Sequence, residues 1–220
     1  MKRSTLKFVS FIFISVGTFL AISAVLPIAK YELLANSDVS QGEFLSPINS
    51  AASRPPQDDE QLLRPANWFT GQPKLPKIEY QVKYYKISVP RLKIKDAVVG
   101  IGGEDLSKSL IHYSGTAIPG QPGNAIIFGH STLPQLFSST NYKTIFSYLP
   151  SLKRGDDIFV DYDGIHYTFR VSEMIEVKPE DIQILEQKYD NSYLSLVTCV
   201  PPGTTLRRLV VRARLVPFKG

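Results

Sequence analysis

The chain has 220 residues and a net charge of +5, from 25 Lys and Arg against 20 Asp and Glu, with a pI near 9.2. That balance suits work beside anionic surfaces, but the basic residues form no clustered stripe, which argues against a nucleic-acid partner. One cysteine and three scattered histidines lack the spacing of a structural metal site, so no metal and no cofactor are expected.

In chain order, a basic flank at residues 1–7 (Lys2, Arg3, Lys7) precedes Phe8 to Ala29, about 22 mostly apolar residues. That is long enough to cross roughly 30 Å of hydrocarbon as a helix, with the positive side left in the cytoplasm. The expectation is a single-pass signal-anchor at 8–29, a cell-membrane location and an extracytoplasmic remainder. Residues 30–79 are rich in Ser, Asn, Gln and Pro and read as a disordered tether, of root-mean-square span roughly 35 to 40 Å if it is a flexible coil. Within it, Trp68-Phe69 could cover a groove, or could be loosely packed linker aromatics.

Residues 80–217 suffice for one domain. Alternating or continuous apolar segments recur at Tyr80 to Val89, Leu92 to Val99, Ala125 to Phe128, Asp156 to Tyr162, His166 to Val171, Tyr193 to Thr198 and Arg207 to Val216. Short strands punctuated by Gly and Pro predict an all-β dominated fold, a single β-barrel of about eight strands. Short helical stretches are expected around Ser107 to His112, Thr144 to Leu149 and Pro179 to Ile184. Asp156, Asp157, Asp161 and Asp163 could gather calcium, but solvation of a hairpin is the simpler reading.

The candidate chemistry lies in the last two strands. A lone cysteine is most often a small buried hydrophobe. Outside the membrane, however, structural cysteines normally pair, so Cys199 needs an explanation. Along its strand Leu194, Leu196 and Thr198 share one face, whereas Ser195, Val197 and Cys199 share the other. After the Pro201-Pro202-Gly203 turn, Leu209, Val211, Ala213 and Leu215 form an apolar face headed by Arg207, and Arg208, Arg212 and Arg214 alternate onto the opposite one. Thiol and guanidinium would then converge on one groove if the strands are neighbours and no bulge intervenes. Arg212 and Arg214 are better read as solvated strand arginines.

A base is also needed. His130 ends the buried run Ala125-Ile126-Ile127-Phe128-Gly129, at a strand end where a loop begins. His112 competes with it by position, while His166, just past the Asp163-Gly164 turn, reads as an exposed strand residue.

Phe128-Gly129-His130, then Leu196-Val197-Thr198-Cys199-Val200-Pro201 and Arg208, resemble the histidine, cysteine and arginine signatures of sortases, the cysteine transpeptidases of bacterial cell surfaces. The stretch from His112 to Asn124 is similar to the family's approach to its histidine strand, which assigns catalysis to His130 rather than His112. The resemblance covers roughly residues 80 to 217. It implies a sortase-like barrel in which Cys199 attacks a sorting signal similar to Leu-Pro-x-Thr-Gly to form a thioacyl enzyme. His130 would act as acid and then base, Arg208 would bind the substrate backbone and oxyanion, and Thr198 would shape the site. The implied partners are surface proteins bearing a C-terminal signal of that kind and an amine acceptor, either a lipid-linked peptidoglycan precursor or a pilin lysine. Closure at Phe218-Lys219-Gly220, with no apolar helix after the last strand, leads us to expect wall anchoring over pilin polymerisation. Two other readings stay open: an L,D-transpeptidase-like wall enzyme, whose Ser-His-Gly-Cys signature is missing here, and a tethered non-catalytic β-domain.

Overall fold

The computed structural model describes residues 3–34, 40–41, 61, 63–69 and 80–217. A long helix, α1 (Arg3–Leu34), comes first and continues through Pro27. The strands follow as β1 (Ser40–Gln41), β2 (Tyr84–Val89), β3 (Ile94–Ile101), β4 (Leu110–His112), β5 (Gly123–Phe128), β6 (Asp157–Tyr162), β7 (Ile165–Val177), β8 (Ser192–Val200) and β9 (Arg207–Leu215).

Pairing runs β7-β6-β2-β3-β4-β5-β8-β9, and antiparallel pairing of β9 with β7 closes the ring into an eight-stranded mixed barrel. Closure gives each of these eight strands a partner on both sides. The thirteen residues of β7 make this possible. β9 lies along one edge, while β6 takes the first half of the other and β1 pairs with Ile175 and Glu176 farther on.

Two cores result, one on each side of the sheet. Inside the barrel Leu194, Leu196 and Val200 of β8 meet Leu209, Val211 and Ala213 of β9, with Val99, Ile127, Phe146 and Phe169. On the outer face Ile126, Phe128, Val197, Cys199 and Val210 pack with Leu106, Ile184 and Leu185. The side-chain alternation expected for β8 and β9 is therefore present, but the face carrying Cys199 is covered rather than wet. All nine residues of β8 are buried.

Three expectations are corrected. Ser107 to His112 holds a strand at Leu110–His112 instead of a helical turn, because Ile111 and His112 pair with Phe128 and Ile127. A three-residue strand is too short to show a period. Thr144 to Leu149 forms turns leading into a 3-10 turn at Leu149–Ser151, and the third helical stretch is a 3-10 turn at Ile182–Leu185. Finally, of the two readings of Trp68-Phe69 the loosely packed one fails, since they are buried at 0% and 3% exposure. The indole meets Phe128 edge-on at 5.3 Å between ring centroids, so apolar contact with the outer core outweighs the polar composition around it. Most of the remaining tether lies outside the described residues.

Candidate active site

β8 and β9 are hydrogen-bonded neighbours in continuous antiparallel register, and that register sets Cys199 directly opposite Arg208. Directly opposed residues project on the same face, which is what the parity of the two strands required. Both are deeply buried, Cys199 at 2% and Arg208 at 0% exposure.

His130 comes from the other side of β8. β5 runs parallel to β8, with Phe128 opposite Val197. Continued by two residues, that register carries His130 level with Cys199. The strand end is stapled there: Gly129 N–H donates to the Val197 carbonyl at 3.1 Å, and Thr198 Oγ1 donates to the Gly129 carbonyl at 2.8 Å. Ser131 Oγ donates to the Cys199 carbonyl at 2.8 Å, and Phe146 N–H donates to the His130 carbonyl at 3.1 Å. Residues 129–131 are thus held on both sides of the imidazole. Glycine is required at 129, since a Cβ there would come within 2.1 Å of the Phe146 ring and 2.7 Å of Leu110.

His130 and Cys199 line one cleft of about 770 Å³, walled by Thr132, Leu136, Thr144 and the Gly203–Thr205 turn. Arg208 lies behind this cleft, with its guanidinium engaged by protein: Nε donates to the Trp68 carbonyl at 3.2 Å and Nη1 to the Thr205 carbonyl at 3.0 Å. The Trp68 ring lies 5.4 Å from the guanidinium carbon, a cation–π contact.

The other histidines are apart from this site. His112 is fully buried, with Tyr85 Oη 2.9 Å from Nδ1 and Thr116 Oγ1 3.0 Å from Nε2. Thr116 donates its own proton to the Tyr113 carbonyl, so it accepts from Nε2–H, and Nδ1 accepts from the tyrosine. Burial holds this imidazole well below its ordinary range, at about 4, against a smaller opposing effect of the Thr116 backbone. It is a neutral core group. His166 is exposed and meets Asp161 across the β6–β7 hairpin. The acidic hairpin residues have partners as well: Asp157 takes a two-pronged contact from Arg170 and Asp156 accepts from the Lys153 N–H. Among the described residues no cluster of His, Cys, Asp and Glu could hold a metal ion.

A family profile for the sortase domain matches residues 87–216, more than half of the chain. The chain belongs to the sortase family. It is 28% identical over 130 residues to a sortase A of Streptococcus agalactiae serotype III (strain NEM316), across 59% of this chain and 51% of that one. It therefore spans about half the length of that curated relative. Among solved structures it is similar to a Clostridium perfringens sortase D5 transpeptidase, at 25% identity and a TM-score of 0.53 over 64% of this chain and 82% of that one. Sortase C-1 from Actinomyces oris is similar at 26% identity and 0.55, over 63% and 76%. These neighbours agree with the barrel.

Two contributors to the candidate site were missed by sequence reasoning. Ser131 had a readable signal, being a hydroxyl one residue beyond the strand-ending Gly-His. The Trp68 carbonyl had none, because a backbone atom arriving from outside the domain leaves no residue-type trace.

Proposed function

We propose that this sortase is a membrane-anchored cysteine transpeptidase. The observation that carries the reading is the placement of Cys199 and His130 on one cleft, with Arg208 opposite Cys199 across the β8–β9 ladder. In the proposed reaction Cys199 Sγ attacks the carbonyl carbon after threonine in an LPxTG-like sorting signal. His130 gives its proton to the leaving amine as the thioacyl bond replaces the peptide bond. An acceptor amine then attacks the thioester, His130 takes its proton, and the cysteine leaves as thiolate. Arg208 supplies fixed positive donors to the substrate backbone and the developing oxyanion. Thr198 and Ser131 act by holding the loop that carries His130.

The anchor is α1. Its stretch Lys7–Leu33 is 27 residues long, apolar enough to span a bilayer, and its most apolar window is not buried against the protein. Surface proteins bearing the sorting signal would be the acyl donors, and a lipid-linked wall precursor or a pilin lysine the acceptor.

The test uses the full chain in detergent with a fluorogenic Leu-Pro-x-Thr-Gly peptide and an amine, read by turnover and by mass spectrometry of Cys199. A thioacyl adduct on Cys199 and an amine-dependent product are expected. Absence of both across a panel of sorting motifs, with the barrel folded by circular dichroism, overturns the reading.

A further inference from the structure

The outer half of α1 is not a free stalk. Ser23, Pro27 and Tyr31, spaced four apart on one face, are partly buried while most neighbouring helix positions are exposed. At the far end of this stripe Tyr31 donates to Glu176, which sits on β7 with a side chain only 6% exposed. Arg207 bridges Glu176 at 2.7 Å and Glu32 at 2.6 Å. Nearer the helix middle, Gln135 Nε2 donates to the Ser23 carbonyl at 2.7 Å. Nine residues separate Ser23 from Glu32, so the barrel lies against roughly 14 Å of helix.

The depth of that contact matters. Ser23 is inside the apolar stretch that would cross the bilayer, and Gln135 is its partner. The Leu133–Phe137 loop thus reaches past the end of the span. Gln135 spends its amide on the helix backbone, and large apolar side chains stand open near it. Leu136 is 62% exposed, and Tyr148, stacked edge-on against Phe137 at 4.8 Å, is 42% exposed. Apolar side chains left open beside a spanning helix, with a tyrosine among them, match the headgroup–acyl boundary. Leu136 also walls the cleft that holds His130 and Cys199, and Pro202, two residues before its Thr204 wall, borders the groove under α1.

We propose that the Leu133–Phe137 loop and Tyr148, together with the outer half of α1, form one membrane-binding surface whose occupant is the lipid bilayer itself. Sunk to the headgroup layer, it opens the active-site cleft at the membrane surface, where a chain or acceptor emerging from lipid first becomes accessible. This rests on α1 spanning the membrane.

The test uses the full chain reconstituted in phosphatidylcholine–phosphatidylglycerol vesicles with and without chain-brominated phosphatidylcholine, which quenches tryptophans it touches. Wild type gives the background of Trp68. Reporters are Leu136→Trp and, as an independent aromatic exchange, Tyr148→Trp. Phe19→Trp reads the anchor. Ile165→Trp is the distal control, exposed at the start of β7 beside the β6–β7 turn and eleven residues along that strand from Glu176, roughly 36 Å of extended chain. The expected result is loss of most of the added emission at Phe19, Leu136 and Tyr148, with Ile165 unchanged. Quenching at Phe19 without quenching at Leu136 and Tyr148 overturns the surface and leaves the anchor standing. No quenching at Phe19 overturns both, and equal quenching at Ile165 overturns the surface as a specific one.

Discussion

Arg207 and Arg208 are adjacent in sequence and have opposite duties. Arg208 is buried opposite Cys199, whereas Arg207 joins Glu176 to Glu32 on the α1 side. Arg208→Ala should lower kcat/KM for a soluble sorting peptide about a hundredfold or more, as loss of a fixed oxyanion donor does. Arg208→Lys should rescue little of it, since a point charge cannot reproduce the fork. Arg207→Ala should leave peptide kcat/KM near wild type where the protein is folded, yet lower Tm, because Glu176 loses its cation. Steady-state kinetics and melting curves separate the two, and equal activity losses would contradict the register argument. Cys199→Ala should abolish turnover. His112 makes a different prediction. Its folded pKa of about 4 lies below the ordinary 6.5, so its contribution is present above pH 6.5 and is lost as pH falls toward 4. At 1.36 kcal/mol per unit the full swing is about 3 kcal/mol. Urea midpoints measured across that window should fall steeply for wild type and less so for His112→Gln.

At the scale of elements, the end of β5 and the strap at residues 63–69 decide how the site is presented. Thr198→Val keeps the shape of the β8 side chain but orphans the Gly129 carbonyl, which should cost about 1–2 kcal/mol in stability. It should also lower kcat more than it raises KM, because the substrate cleft is intact while the His130 loop is loosened. The strap holds Arg208 through a backbone carbonyl and an indole, the same kinds of contact a substrate would make with it. Trp68→Ala removes a fully buried ring from the outer core and should cost about 3 kcal/mol. It should nonetheless lower KM for the sorting peptide, as access to Arg208 improves. A raised KM would mean that Trp68 builds the binding surface instead of covering it.

For the whole molecule, helix and barrel are joined closely. α1 runs to Leu34 and is clamped by Arg207 through Glu32 near its C-terminal end. A flexible coil of roughly 35 to 40 Å would let the domain wander relative to α1. The clamp holds α1 against the barrel. Glu32→Gln combined with Tyr31→Phe removes two of the clamp's polar contacts, worth about 1 kcal/mol or less each where exposed. Turnover of a vesicle-bound substrate should fall several-fold in this double variant, while turnover of the soluble peptide stays unchanged. Parallel assays on the two substrates check this.

The sequence by itself determined the short-range features: the apolar span of α1, most strand positions, the two faces of β8 and β9, and the order of His130, Cys199 and Arg208 by which the chain resembles sortases. These are legible because strand parity and helix length are properties of consecutive residues. Tertiary structure alone decided that β8 and β9 share a register putting Cys199 against Arg208, that His112 is a neutral core group, that Trp68 closes over the guanidinium and that the Leu133–Phe137 loop lies along α1. Each of these joins groups far apart in the chain, such as Trp68 with Arg208 and Ser23 with Gln135. Such contacts follow from where the closed barrel brings its surfaces, a competition among burial, charge pairing and chain entropy that no local pattern encodes.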